Sequence, residues 1–176
     1  PKVISNDFTF NVTELIVTDN GNIYTGINGG TVKTENGIEI TAETFTYNKL
    51  TSLLESKGNV ILYDKIKDIK ISSQKIFYLK NKELAYTSGE SKATSGKEIE
   101  INSNEFFEYD KLNSILHAKG NVTIIDRVKN LTVESKEAYY FQKEDKFTTT
   151  SKTKANINNE YFVDTQDLVL LRKNML

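Results

Sequence analysis

The chain of 176 residues has no cysteine and no tryptophan, and only one proline, one histidine and one methionine. Without cysteine there is no disulfide framework, no thiolate metal site and no sulfur nucleophile, and the compartment stays undecided on that ground. No stretch approaches the roughly 18 apolar residues needed to cross a bilayer as a helix. No basic, then apolar, then small-residue leader pattern opens the chain either. Charge of one sign is also missing: 23 Lys and Arg against 24 Asp and Glu leave a net charge of -1, which excludes bulk attraction to nucleic acid. Any electrostatic partner must be met by a local patch.

What is present is β-forming. Hydrophobic residues make up 38% and charged residues 27%, a globular balance in a chain long enough to bury a core. The richness in Ile, Val, Thr, Tyr and Phe favours a pleated, half-buried surface over helices. An all-β chain with almost no helix is expected.

The chain repeats itself. "FTYNKLTSLLESKGNV", from Phe45 to Val60, and "FEYDKLNSILHAKGNV", from Phe107 to Val122, share ten of sixteen residues. The correspondence extends to Asp64 and Asp126, Ser73 and Ser135, Tyr78 and Tyr140, and Ala93 and Ala155, a period of 62. A weaker repeat lies at half that distance, placing Ile40, Tyr47 and Gly58 on Ile71, Tyr78 and Gly89. Such periodicity marks an array of supersecondary units. Units of 31 residues begin near Ile40, Ile71, Asn102 and Val133, the third slipping register at Asn102. We expect a single domain over 1–176, with a divergent first unit at 1–36, regular repeats at 37–163 and a truncated last unit at 164–176.

Each unit reads as two strands joined by a polar, lysine-containing turn such as "NKLTS" or "DKLNS". Period-2 alternation puts Leu54, Ser56, Gly58, Val60 and Leu62 on one dry face and Glu55, Lys57 and Asn59 on the wet one. In the other strand, Ile40 and Ala42 share a parity that Phe45 and Tyr47 reverse, which calls for a bulge near Glu43 and Thr44. Gly58 and Gly120, midway along their strands, mark a bend. The sum is an antiparallel sheet creased into a V-shaped trough, an elongated β-jelly-roll. Its inward lining is expected to be Phe45, Tyr47, Leu54, Val60, Leu62, Ile71, Ile76, Tyr78, Phe107, Tyr109, Leu116, Val122, Ile124, Val133 and Tyr140, which form either a plain core or an apolar slot.

Chemistry leaves no trace on that face. The pattern holds no Gly-x-Ser-x-Gly elbow, Walker loop or His-Glu-x-x-His helix. "DNGN" at Asp19 reads as a turn without the spaced carboxylates of a calcium loop. Glu43 and Glu105 recur at the bulge and read as solvated. His117 replaces Glu55 of the sister unit on the wet face and reads as a surface residue. Tyrosines inside and lysines on turns are kept apart, against nucleic-acid stacking. No catalytic residue, metal site or cofactor is expected, and the chain reads as a non-enzyme.

The segments "ITAETFTYNK" and "LLESKGNVILYD", their copies "INSNEFFEYDK" and "LHAKGNVTIID", and the later "SSQKIFYLKNKEL" and "ESKEAYYFQKEDKF" resemble the OstA-like periplasmic domains of the lipopolysaccharide-transport family, over at least Ile38 to Leu171. That family includes a free bridge protein and the amino-terminal domain of the outer-membrane translocon. The resemblance implies a periplasmic β-jelly-roll, associated with the outer membrane, that carries lipid A acyl chains of lipopolysaccharide in its slot. It also implies end-to-end pairing with similar jelly-rolls through edge strands, near Val163 to Leu171 at one end and Phe8 to Val17 at the other. The strand-like "LVLLRKNML" at the end leads us to expect that the natural chain continues, as it does where an outer-membrane β-barrel follows. Lys49, Lys80, Lys111 and Lys143 are placed to meet an anionic head group or merely to solubilise their turns. The other reading is an extracellular adhesion or carbohydrate-binding repeat protein, with a filled interior and its binding surface outside.

Overall fold

The computed structural model describes residues 1–4 and 8–175. Residues 5–7 of the divergent first unit and Leu176 of the truncated last one lie outside the described residues. The order along the chain is β1 (Lys2–Ile4), β2 (Thr9–Thr18), β3 (Ile23–Lys33), β4 (Ile38–Ala42), β5 (Thr44–Asn48), β6 (Leu53–Asp64), β7 (Ile69–Leu79), β8 (Leu84–Thr87), β9 (Ser91–Ser95), β10 (Ile99–Ser103), β11 (Phe106–Asp110), β12 (Ile115–Asp126), β13 (Leu131–Phe141), β14 (Lys146–Thr149), β15 (Thr153–Ile157), β16 (Tyr161–Thr165) and β17 (Leu168–Leu171). The described residues contain no α-helix, only three single 3-10 turns.

All described strands join one antiparallel sheet of 17 members, and two kinds make it up. β2, at one edge, and β3, β6, β7, β12 and β13 run unbroken, whereas β4 and β5, β8 and β9, β10 and β11, β14 and β15, and β16 and β17 are halves of interrupted strands. Each unbroken strand after β2 pairs with both halves of a neighbour: β6 takes β4 along Ile61–Asp64 and β5 along Leu53–Lys57, and β12 takes β10 and β11 in the same way. The interruptions align across the sheet and divide it into two leaves. Leaf A holds β1, β4, β9, β10, β15 and β16 with the matching halves of the long strands; leaf B holds β5, β8, β11, β14 and β17 with the rest.

The crease has a local cause. On β6, Lys57 faces Lys75 and Val60 faces Ser73, so Gly58 and Asn59 together oppose one residue, Gln74. Both adopt left-handed backbone, with φ of 85° and 45°, which Gly and Asn tolerate best. A Cβ on Gly58 would come within 2.3 Å of the Glu43 carboxylate. Asn59 then fastens the bend, donating to Glu43 Oε1 at 3.1 Å and accepting from Gln74 Nε2 at 3.1 Å. Gly120 and Asn121 repeat the bulge, so that Lys119 faces Glu137 and Val122 faces Ser135. The bulge gives β6 one residue more than β7, so parity continues along β6, where Leu54, Ser56, Val60 and Leu62 all remain inward and buried, and reverses along β7 between the buried Ser73 and Ile76.

The slip at Asn102 resolves in the same terms. Ile101, not Asn102, faces Ile124 on the dry side, in the place that Ile40 holds opposite Leu62. One extra residue before Phe107, absorbed at the crease by Asn104 and Glu105, restores the register. The predicted phase reversal is also present: Ile38 and Ile40 on one half and Phe45 and Tyr47 on the other are each at most 1% exposed.

Gly58→Ala is expected to destabilise the fold by roughly 3 kcal/mol, since it combines a left-handed alanine with a clash against Glu43. Gly89 has a similar φ of 88° with nothing within 4 Å of the added Cβ, so Gly89→Ala should cost only about 1 kcal/mol. Urea unfolding of both variants separates the two contributions.

Candidate functional site

The space between the leaves is layered from crease to mouth. At the crease the backbones approach closely and only small side chains fit. Ser91 Oγ lies 3.1 Å from Ser73 Oγ and 2.6 Å from Thr87 Oγ1. Sixty-two residues later Thr153 Oγ1 lies 3.1 Å from Ser135 Oγ and 2.6 Å from Thr149 Oγ1. These hydroxyls satisfy one another, as buried polar groups must. The expected lining omitted this row, although the pairing of Ser73 with Ser135 in the repeat was a signal for it.

Above the hydroxyls come the aliphatic side chains and Phe45, Phe107 and Phe147, and above those the tyrosine column. All fifteen residues expected to line the slot point inward, are between 0% and 4% exposed, and belong to one continuous cluster. The sheet thus forms the trough and its own side chains fill it. Phe8, expected on a docking edge, instead enters this interior, edge-on to Tyr47 at 4.7 Å and to Tyr78 at 6.2 Å.

The mouth is held shut by side chains. The described backbone–backbone hydrogen bonds stay within a leaf or cross the crease; none crosses the mouth. Asp64, on the leaf A rim and fully buried, accepts Tyr109 Oη at 2.7 Å and lies 3.2 Å from Lys111 Nζ, both on leaf B. Its other oxygen caps its own turn, accepting from the amides of Ile66 and Lys67 at 3.1 Å each. Asp126 repeats the arrangement with the amides of Val128 and Lys129, and receives Arg172 Nε at 2.5 Å. Arg172 also reaches Asp145 at 2.7 Å and Glu98 at 2.8 Å. Asn36 meets Glu83, Gln142 meets the Lys67 carbonyl, and Lys67 meets the Lys111 carbonyl along the same line.

The titrations follow the packing. Burial, and then the hydrogen bond to Asp64, push the Tyr109 phenol far above its ordinary range. Burial likewise raises Tyr78 and Tyr140. For Arg172 burial acts downward, but its bonds to Asp126, Asp145 and Glu98 outweigh it and hold the guanidinium above its ordinary value. Of the four turn lysines expected at the mouth, Lys111 is 6% exposed and part of the clasp. Lys49 instead sits over the Tyr24 ring at 5.9 Å.

The interior is not closed at its ends. At the β2 end, Leu15 packs on the core only in part and Val17 is 48% exposed. At the β16 and β17 end, Val163, Leu168 and Leu170 are inward yet only partly buried. The two edges differ. Among the described residues, β16 and β17 pair only with β15 and β14, whereas β1 covers Thr9–Asn11 of β2 and leaves Glu14–Thr18 free.

Outside, a concavity of about 630 Å³ beside the crease is lined by Asn59, Ser72, Gln74, Lys92, Asn102 and Asn121. His117 is on the outer face as expected but is not freely solvated. It stacks on Tyr139 at 4.2 Å, meets Phe106 edge-on at 5.5 Å and lies 3.3 Å from a Glu137 carboxylate oxygen. No group of His, Cys, Asp and Glu suited to a metal ion occurs among the described residues.

No family model and no curated protein matches the chain. Its structure is similar to the crystal structure of LptH from Pseudomonas aeruginosa, described as the LptA-homologous periplasmic component of the conserved lipopolysaccharide transport device. The TM-score is 0.61 at 14% identity, over 68% of this chain and 94% of that one. The fold is therefore the β-jelly-roll of that protein.

Asp64→Ala leaves the Lys111 ammonium, the Tyr109 hydroxyl and two turn amides without their acceptor, and is expected to cost 3 kcal/mol or more, about that of breaking a buried pair. Glu39, paired with Lys65 at 2.6 Å on the surface, should cost less than about 1 kcal/mol on conversion to Ala. Unfolding midpoints in urea test the contrast.

Proposed function

We propose that the chain is a periplasmic, non-enzymatic domain of a lipopolysaccharide-transport bridge or translocon, which takes lipid A acyl chains between its leaves and passes them toward the outer membrane. The observation that carries this reading is a continuous apolar interior left uncovered at both ends, beside unpaired strand edges, in a chain with the LptH fold. A core meant only for stability gains by being capped. Here the inward faces of β2, β16 and β17 stop half-buried, ready to continue into a neighbour.

The partners follow from the same features. Similar jelly-rolls add their edge strands to β16 and β17, or to the open part of β2, so that backbone bonding and slot both continue. An outer-membrane β-barrel prolonging the chain is the natural terminus of such a bridge. The filled interior means that acyl chains enter by displacing leaf-to-leaf contacts, with the leaves parting about the crease. A chain of about a dozen carbons gains roughly 0.8 kcal/mol per buried CH₂, so leaving through water costs on the order of 10 kcal/mol. Sliding to the next jelly-roll avoids that step.

One observation favours a second reading, an extracellular adhesion or carbohydrate-binding module. The interior is packed, while aromatic pairs lie on the outer face, Phe77 on Tyr86 at 4.8 Å and His117 on Tyr139. A photo-crosslinking residue at Phe107, fully buried between the leaves, and another at exposed Lys119 separate the two. On exposure to lipopolysaccharide, adducts at position 107 and none at 119 are expected. Absence of adducts at 107 in folded protein would replace the transport reading with the surface-binding one.

A further inference from the structure

The two clasps at the mouth are built on the same plan but carry opposite charge. At the second, Arg172 meets three carboxylates, those of Asp126, Asp145 and Glu98, while Lys129 Nζ donates to the Met175 carbonyl at 2.9 Å, and the site is closed upon itself. At the first, Lys67, Lys111 and Lys143 converge, and Asp64 is the one carboxylate in ion-pair contact with any of them among the described residues. Lys67 donates only to the carbonyl of Lys111, and Lys143 to that of Leu112 at 3.4 Å. Burial and then the charge of Lys111 pull the Lys67 ammonium below its ordinary value, against the opposing pull of Asp64 and Glu83. Three ammonium groups face two carboxylates here, where the second clasp sets two cations against three.

We propose that this first clasp is a binding site for the phosphate head group of an amphiphile: when the leaves part, Lys111 exchanges Asp64 for the phosphate, and Lys67 and Lys143 complete the site. The inference rests on the proposed lipid slot and names where the polar end of that lipid is held. Three features make the exchange feasible. Opening the mouth breaks only side-chain contacts. Asp64 keeps its two turn amides when it loses Lys111. A buried ion pair contributes little net stability, because desolvation offsets attraction, so a phosphate with up to two charges and three acceptor oxygens competes effectively for the lysine. The site also lies directly above the tyrosine column, so a bound head group leaves its chains pointing into the slot.

The test uses the whole chain and three probes: lauroyl lysophosphatidate, monolauroylglycerol with the same acyl chain, and inorganic phosphate, with affinities read by calorimetry. The lysophosphatidate should bind about tenfold more tightly than the glycerol ester. Lys67→Gln, which leaves no charge unpaired, and Lys111→Gln should bring that ratio toward one without changing affinity for the ester, while Asp64→Asn should raise it. Lys129→Gln, at the equivalent position of the second clasp, should leave it unchanged. Inorganic phosphate alone should bind far more weakly than the lysophosphatidate.

A ratio near one in the native chain, or one indifferent to Lys67→Gln, overturns the head-group site while leaving the slot intact. Inorganic phosphate binding as tightly as the lipid would make this a free-anion site and overturn the proposal in that way. Failure of both lipids to bind would remove the slot itself, and the head-group site with it. Because the chain is free of cysteine, Asn36→Cys with Glu83→Cys allows the mouth to be bridged by a cleavable bifunctional thiol reagent. Bridging should abolish binding of both lipids and cleavage should restore it; binding that survives bridging would also overturn the proposal.

Discussion

A sheet that folds onto its own face must bend every strand along one line without abandoning the backbone hydrogen bonds of either half. That constraint governs this molecule. Some strands meet it by breaking, β3, β6 and β12 by bulging, and β2, β7 and β13 by running through opposite a bulge. A side chain from the adjacent break fills two of the bulges, Glu43 against Gly58 and Glu105 against Gly120. From that line follow the two leaves, the small hydroxyl residues that alone fit beside it, and the widening space that larger side chains occupy farther out.

Much of this was legible in the sequence because the constraint acts locally. A Gly-Asn pair inside an alternating strand, and a parity reversal opposite it, are written in consecutive residues, and repetition made both visible. The inward lining followed from the same alternation. What escaped was whatever depends on the distance between the leaves. Nothing in "VILYD" or "YDKLNS" says that Asp64 and Lys111 meet, since they belong to different units and touch only once the sheet has folded. Phe8 was assigned to an edge because its contacts with Tyr47 and Tyr78 come from the far rim. His117 was placed on the correct face, but the stack with Tyr139 depends on cross-strand registry.

The two kinds of contact between the leaves do different work. The apolar layers supply most of the stabilisation, through the area they remove from water. The clasps supply little net energy but demand one geometry, with a carboxylate already fixed by its own turn. The leaves are thus kept together by the first and kept in one relative position by the second. A molecule organised in this way has one well-defined closed form.

The unequal coverage of the two sheet edges bears on symmetry. β16 and β17 present both leaves of the sheet uncovered, while at the other edge β1 already occupies leaf A of β2. Two such ends are not copies of one another, so contact between unlike ends is heterologous, and a heterologous contact closes into a ring or extends into a filament according to its rotation. In the proposed bridge, a slot running straight through the array suits extension, since a ring would return the cargo to its start. A row assembled in this manner has a direction, readable from any one subunit, and no internal rule for its length; its number of copies is set by whatever finally occupies the last free edge.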